Sequence, residues 1–96
     1  MARIIYSGRA LADLERLFEF LAVHDHQAAM ISAERISQGI DILQNHPHIG
    51  RPVAHGLREL ILSRDRTGYV ALYHFDKARD IVRILTIRHQ REQPNQ

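Results

Sequence analysis

Cationic side chains gather in the second half of this chain: Arg58, Arg64, Arg66, Arg88 and Arg91, with His89 between the last two. Side chains of these types can do three things. Histidine can serve as acid or base on a phosphodiester while arginine stabilises the pentavalent phosphate. The same groups can clamp an acidic partner through charge-assisted hydrogen bonds. Arg58 and Arg88 can also simply pair with Glu59, Asp76 or Asp80 on neighbouring strands. The residue types alone leave all three open.

Other chemistries have less support. Seven histidines invite a metal centre, but His24/His26 and His46/His48 are spaced i, i+2 at helix ends, not the i, i+4 that sets two ligands on one helical face. Cysteine is absent, which removes thiolate ligands, disulfides and cysteine nucleophiles together. These four histidines read as exposed loop residues, some near helix C-termini, and neither a metal nor a cofactor is expected. Gly8, Gly39, Gly50, Gly56 and Gly68 fall in no phosphate-cradling spacing, and no Gly-x-Ser-x-Gly elbow exists. The helical carboxylates read as solvated polar faces.

The charge balance agrees with an anionic partner. Lys and Arg together number 13 against 11 Asp and Glu, for a net charge of +2, and Lys77 is the single lysine. Arginine offers a planar fork for phosphate or carboxylate, where lysine is a solvated point charge. The surplus lies after residue 50, since residues 1–50 are net acidic. The chain has 96 residues, 45% of them apolar and 25% charged, so one globular domain over 1–96 is expected. No apolar run approaches the roughly 18 residues of a membrane span, and the first residues read as a strand rather than a secretion signal. A cytoplasmic protein is the expectation.

The elements that must position the arginines follow from periodicity. Arg3-Ile4-Ile5-Tyr6 is rich in β-branched and aromatic residues and predicts a strand. Ser7 stands as an N-cap. Leu11, Leu14, Phe18 and Leu21, with Leu17 beside them, then mark one apolar helical face. Asp25 caps a second helix whose stripe is Ala29, Ala33, Ile36, Ile40 and Leu43, ending near Asn45-His46 because Pro47 disfavours helical geometry before it. The loop from His46 to Pro52, with two prolines and a glycine, is a rigid connection.

Beyond it the period becomes two. Strands are predicted over 57–62, 69–75 and 81–87, with a turn over 64–68 between the first two. Tyr69, Ala71, Tyr73 and Phe75 share one face of the middle strand. The last strand is apolar on both faces and should be central. Tyr6, Tyr69 and Tyr73 read as core aromatics. The predicted class is α+β: an N-terminal strand, an α-helical hairpin, then three antiparallel strands, with the helices packed on one face of the sheet.

Read in order, several landmarks resemble the ParE/RelE superfamily of bacterial toxins, on its ParE (plasmid-stabilisation) side. They are Tyr6-Ser7 followed by Ala10-Leu11-Ala12-Asp13-Leu14, then Leu43 with Pro47 and Gly50-Arg51-Pro52. Leu57-Arg58-Glu59-Leu60, the strand from Tyr69 to Asp76, and Ile87-Arg88-His89-Gln90-Arg91-Glu92 complete the set. Each piece is weak alone; their joint order and spacing are specific.

The resemblance implies the toxin half of a type II toxin–antitoxin pair, neutralised by a ParD-like antitoxin whose partly disordered segment folds along it. It also implies one of two targets. ParE-like members poison DNA gyrase, stalling it on cleaved DNA, whereas RelE-like members cut messenger RNA on the ribosome. Ribonuclease members carry Arg directly after the Tyr of the third strand and an aromatic residue near the C-terminus. Here Val70 follows Tyr69, and no Tyr follows Arg91. The expectation is therefore a gyrase inhibitor that performs no bond chemistry, with contact to gyrase-bound DNA as a further implication. Arg58, Arg88, His89 and Arg91 are the candidate partner-binding residues. A RelE-type ribonuclease and a non-toxic interaction module are the alternatives.

Overall fold

A computed structural model describes residues 1–62 and 68–90. The expected turn at 64–68 falls mostly outside this range, as do Arg64, Arg66 and Arg91. In chain order the elements are β1 (Arg3–Tyr6), α1 (Gly8–Ala22), α2 (His26–Asp41), β2 (Arg51–Pro52), β3 (Arg58–Ile61), β4 (Tyr69–Asp76) and β5 (Ile81–His89). They form one sheet of order β1-β5-β4-β3-β2, with the helical hairpin on one face. The class is the α+β arrangement expected, and β5 is indeed interior. It pairs parallel with β1 and antiparallel with β4. One element was not foreseen. The loop between helix and sheet contains β2, two residues that pair with Glu59 and Arg58. A strand so short, ending in proline, leaves no alternation to read.

Both helix starts form as their caps dictate. Ser7 Oγ accepts the Ala10 N–H at 3.0 Å, and Asp25 Oδ1 accepts that of Ala28 at 3.1 Å, satisfying donors that no helical carbonyl can reach. The core joins Ala10 and Leu17 of α1, Ile36 and Ile40 of α2, and Leu43 to Tyr69, Ala71, Tyr73, Val82, Ile84 and Ile87 of the sheet. Each large aliphatic side chain fully buried there contributes roughly 1.5–3 kcal/mol. The α2 stripe and the three tyrosines lie as predicted, with Tyr6 packing at the edge of the core. The α1 stripe needs correction. Its buried line runs through Ala10, Leu14, Leu17 and Leu21, and Leu11 is 54% exposed. A small residue at position 10 lets the helix sit close to the sheet, which turns Leu11 outward.

β5 carries the irregularity that matters most. Leu72 faces Thr86 and Tyr73 faces Ile84, so Leu85 is an extra residue, a β-bulge. Val82 and Ile84 point to the helices; beyond the bulge the alternation is reset, and Ile87 rather than Thr86 points inward. β1 ends at Tyr6, so β5 has no strand on that side beyond Ile84. The end of β1 and α1 fill the gap. Ser7 N–H donates to Ile84 O at 2.9 Å, Ser7 Oγ–H donates to Leu85 O at 3.0 Å, and Asp13 Oδ2 accepts the Ile87 N–H at 2.9 Å. Asp13 is thus a sheet-edge cap, not a solvated carboxylate as its position on the helix suggested.

Candidate functional site

The predicted site residues separate once placed on this sheet. Arg58 lies opposite Tyr73, on the face toward the helices. Its guanidinium Nη1 donates to His48 O at 3.1 Å and Gly50 O at 2.9 Å, so it clasps the loop that precedes β2. Tyr73 completes the clasp from beneath, its hydroxyl donating to Pro47 O at 2.8 Å and accepting the Gly50 N–H at 2.9 Å. Burial pushes the Tyr73 pKa up, opposed by the Gly50 N–H and the nearby Arg58 charge. Glycine is required at position 50 because a Cβ there would stand 2.6 Å from the Tyr73 ring and hydroxyl and 2.9 Å from Glu59 O.

Arg88 and His89 are adjacent in sequence but face opposite ways. His89 pairs with Tyr69 on the helix side, their rings edge to face with centroids 5.5 Å apart. Arg88 pairs with Val70 on the open side of the sheet. There its Nη2 lies 3.4 Å from Glu59 Oε2, while Arg51 Nη2 lies 2.6 Å from Oε1 of the same carboxylate. Along β4, the partners of Arg58 and Arg88 are three residues apart, roughly 10 Å at the usual strand rise. Arg58, Arg88 and His89 therefore do not converge on one point.

Pairing of Arg88 with Glu59 was one of the readings the sequence allowed, and it forms. Two features went unnoticed, the addition of Arg51 to that carboxylate and the position of Arg83. Glu59 joins Arg51 and Arg88, a link that depends on three strands lying in register. Arg83 faces His74 on the same open surface. At the far end of β4, Asp76 accepts from Arg79 Nη1 at 3.0 Å and the Arg79 N–H at 3.2 Å, and these bonds hold its carboxyl below the usual range. The histidines near the helix ends and on the loop are exposed, as expected, and three meet phenylalanine edge to face: His26 with Phe18, His24 with Phe20 and His48 with Phe75. Among the described residues no three His, Asp or Glu side chains come together in a way that could hold a metal ion. No helix among them is long and apolar enough to cross a membrane.

Comparison with known proteins places this geometry. Residues 4–94 match the family described as the ParE toxin of the type II toxin–antitoxin system parDE. The chain is 34% identical over 89 residues to Toxin RelE2 of Caulobacter vibrioides, covering 93% of this chain and 96% of that protein. Its fold is similar to a chain in the chromosomal ParDE TA system from P. aeruginosa, with a TM-score of 0.78 at 24% identity over 93% of this chain and 96% of the other. It is also similar to a chain of the intact E. coli RelBE toxin–antitoxin complex, with a TM-score of 0.70 at 12% identity, covering 97% of this chain and all of that one.

Proposed function

The chain belongs to the ParE toxin family of type II toxin–antitoxin systems, and on that footing we propose that it inhibits DNA gyrase by binding it, without cutting nucleic acid. One observation carries this reading: Arg58, Arg88 and His89 diverge. Phosphodiester cleavage needs an acid or base and a cation within hydrogen-bond reach of the same phosphate. Here Arg58 is bound to loop carbonyls on one face, Arg88 lies beside Glu59 on the other, and His89 meets Tyr69 edge to face. Val70 adds support. It is 6% exposed and apolar at the place where ribonuclease relatives carry arginine, so it offers no charge to a developing phosphorane.

A protein that binds without reacting can still poison an enzyme. It needs a higher affinity for the cleaved-DNA state of gyrase than for the resealed one, and the population shifts by that difference alone. Arg88 and Arg91 are the anchors assigned to this contact, acting in the cytoplasm. The neutralising partner is a cognate antitoxin that covers apolar surface. Phe20 and Val23, 68% and 80% exposed at the closed end of the helical hairpin, provide such surface.

Two parallel reactions test this. Purified protein is added to a gyrase supercoiling and cleavage assay, and to a translation system whose messenger RNA is end-mapped. Lost supercoiling or trapped cleaved DNA with intact message is the expected result. Discrete cuts in the message with unaffected gyrase would replace this reading with a ribonuclease. Silence in both, without growth arrest on induction, would leave an interaction module.

A further inference from the structure

The loop that joins α2 to the sheet is held more firmly than a connection requires. Ile49 N–H donates to His46 O at 3.1 Å, closing a turn whose second residue is Pro47, where a fixed φ fits. Arg58 holds the His48 and Gly50 carbonyls, Tyr73 holds Pro47 O and Gly50 N–H, and the His48 ring meets Phe75 edge to face. Tyr73 grips the loop on both sides of His48 and Ile49, so the turn keeps its place even without Arg58.

Within this frame Ile49 is 56% exposed, between exposed His48 and buried Gly50. One exposed isoleucine on a helix would carry little, since apolar side chains scatter over every protein surface. Ile49 differs because its backbone is fixed by a buried tyrosine and by a glycine that leaves no room for a side chain. Ordering a loop is ordinarily a cost of association, and here folding has already removed it.

We propose that Ile49 is an apolar anchor that seats in a preformed pocket on the folded protein this toxin inhibits. A side chain on a fixed backbone matches a fixed concavity, in the way that anchor residues fill pockets at protein interfaces. The surrounding charge gives the pocket an acidic rim. Between Asp41 and Glu59 the chain has no acidic residue, while His46, His48 and Arg51 flank Ile49, and the Arg51 side chain is 74% exposed. A phosphate backbone is a poorer match, because it offers no apolar seat and would call for a cation in the place of Ile49. The surface assigned to the antitoxin lies elsewhere. Phe20 and Val23 stand at the opposite end of α2, whose 16 residues span roughly 24 Å. The inference rests on the reading of this chain as an inhibitor that binds its target, and it adds Ile49 to Arg88 and Arg91.

The test compares Ile49→Ala and Ile49→Lys with the wild type, as full chains, in inhibition of gyrase supercoiling. Both should raise the concentration for half-inhibition, the alanine by about tenfold and the lysine by more, while thermal unfolding stays near wild type. Pro47→Gly should weaken inhibition by about threefold through a looser turn, and that loss should disappear in the Ile49→Ala background. Unchanged inhibition by Ile49→Ala would overturn the proposal. So would stronger inhibition by Ile49→Lys, the sign of a phosphate contact, or an equal Pro47→Gly loss in both backgrounds. If the wild type leaves gyrase untouched, the gyrase reading fails by itself, and the same variants are ranked by growth arrest on induction at matched protein levels. There the same order upholds the anchor on another target. Equal arrest by all variants, or none from the wild type, overturns it.

Discussion

Asp13 of α1 accepts the backbone N–H of Ile87 at 2.9 Å, across a sequence separation of 74 residues. This bond supports β5 just past the Leu85 bulge, where β1 no longer flanks it. The bulge in turn decides which side chains of β5 face the helices. Without it, strict alternation from Ile84 would bury Thr86 and Arg88 and expose Ile87. One helix carboxylate thus helps fix the orientation of the proposed partner anchor.

Asp13→Ala should therefore destabilise the fold by roughly 1–3 kcal/mol, the cost of leaving a sheltered N–H without an acceptor. Asp13→Asn keeps an oxygen in place and should cost less. Glu15→Ala, on the exposed side of the same helix, should stay within about 0.5 kcal/mol of wild type. Urea denaturation midpoints at constant slope would check the order.

Gly50→Ala should cost roughly 1–3 kcal/mol, since the new methyl meets the Tyr73 side chain and a backbone oxygen, and Tyr73 is fully buried. Gly8→Ala is the matched control. Nothing lies within 4 Å of a Cβ there, and the residue opens α1, so a gain of roughly 0.4–1 kcal/mol is expected. Thermal unfolding of the two variants should move in opposite directions.

Part of this organisation was legible in the sequence and part was not. Ser7 and Asp25 could be assigned as caps because a cap acts on an N–H three residues away. The stripe of α2 was readable because bulky aliphatic residues mark it, whereas Ala10 is small and its burial left Leu11 as the apparent marker. The Leu85 bulge was hidden because β5 is apolar on both faces, so no break in alternation announces it. For the site, residue types were visible but their directions were not. Arg58 reads as a cation available to a partner until the loop carbonyls of His48 and Gly50 are seen around it. Glu59 was legible as a possible partner of Arg88, but its link to Arg51 shows only when β2 and β3 are set in register.

Alkaline stability should report the Tyr73 clasp. Burial raises the pKa of Tyr73 above the usual tyrosine value of about 10, and Tyr6 is raised as well, by burial first and by the Asp41 charge second. Between the unfolded and folded values the native state holds more protons, so stability falls as pH rises. It should be independent of these groups below about pH 10 and decline above it, until the folded values are passed. Denaturation midpoints measured from neutral pH into this range would show the fall. Tyr73→Phe should flatten it in part while lowering stability at neutral pH, because Gly50 N–H and Pro47 O lose their partner. A steeper alkaline decline in that variant would contradict the assignment.

The arginines should divide into one that holds the fold and two that hold the partner. Arg58→Ala removes both hydrogen bonds to the 46–52 loop and should lower stability by roughly 1–3 kcal/mol, with toxicity falling only as far as folded protein is lost. Arg88→Ala leaves Glu59 paired with Arg51, so the remaining carboxylate is not stranded. Combined with Arg91→Ala it should abolish growth arrest on induction while the circular dichroism spectrum remains that of the wild type. The two effects are separable because toxicity and thermal unfolding are measured on the same variants. If the Arg88 and Arg91 double variant unfolds well below wild type, these arginines belong to the scaffold. If it is stable and still toxic, the partner contact lies elsewhere, and the exposed end of the helical hairpin is the next surface to test.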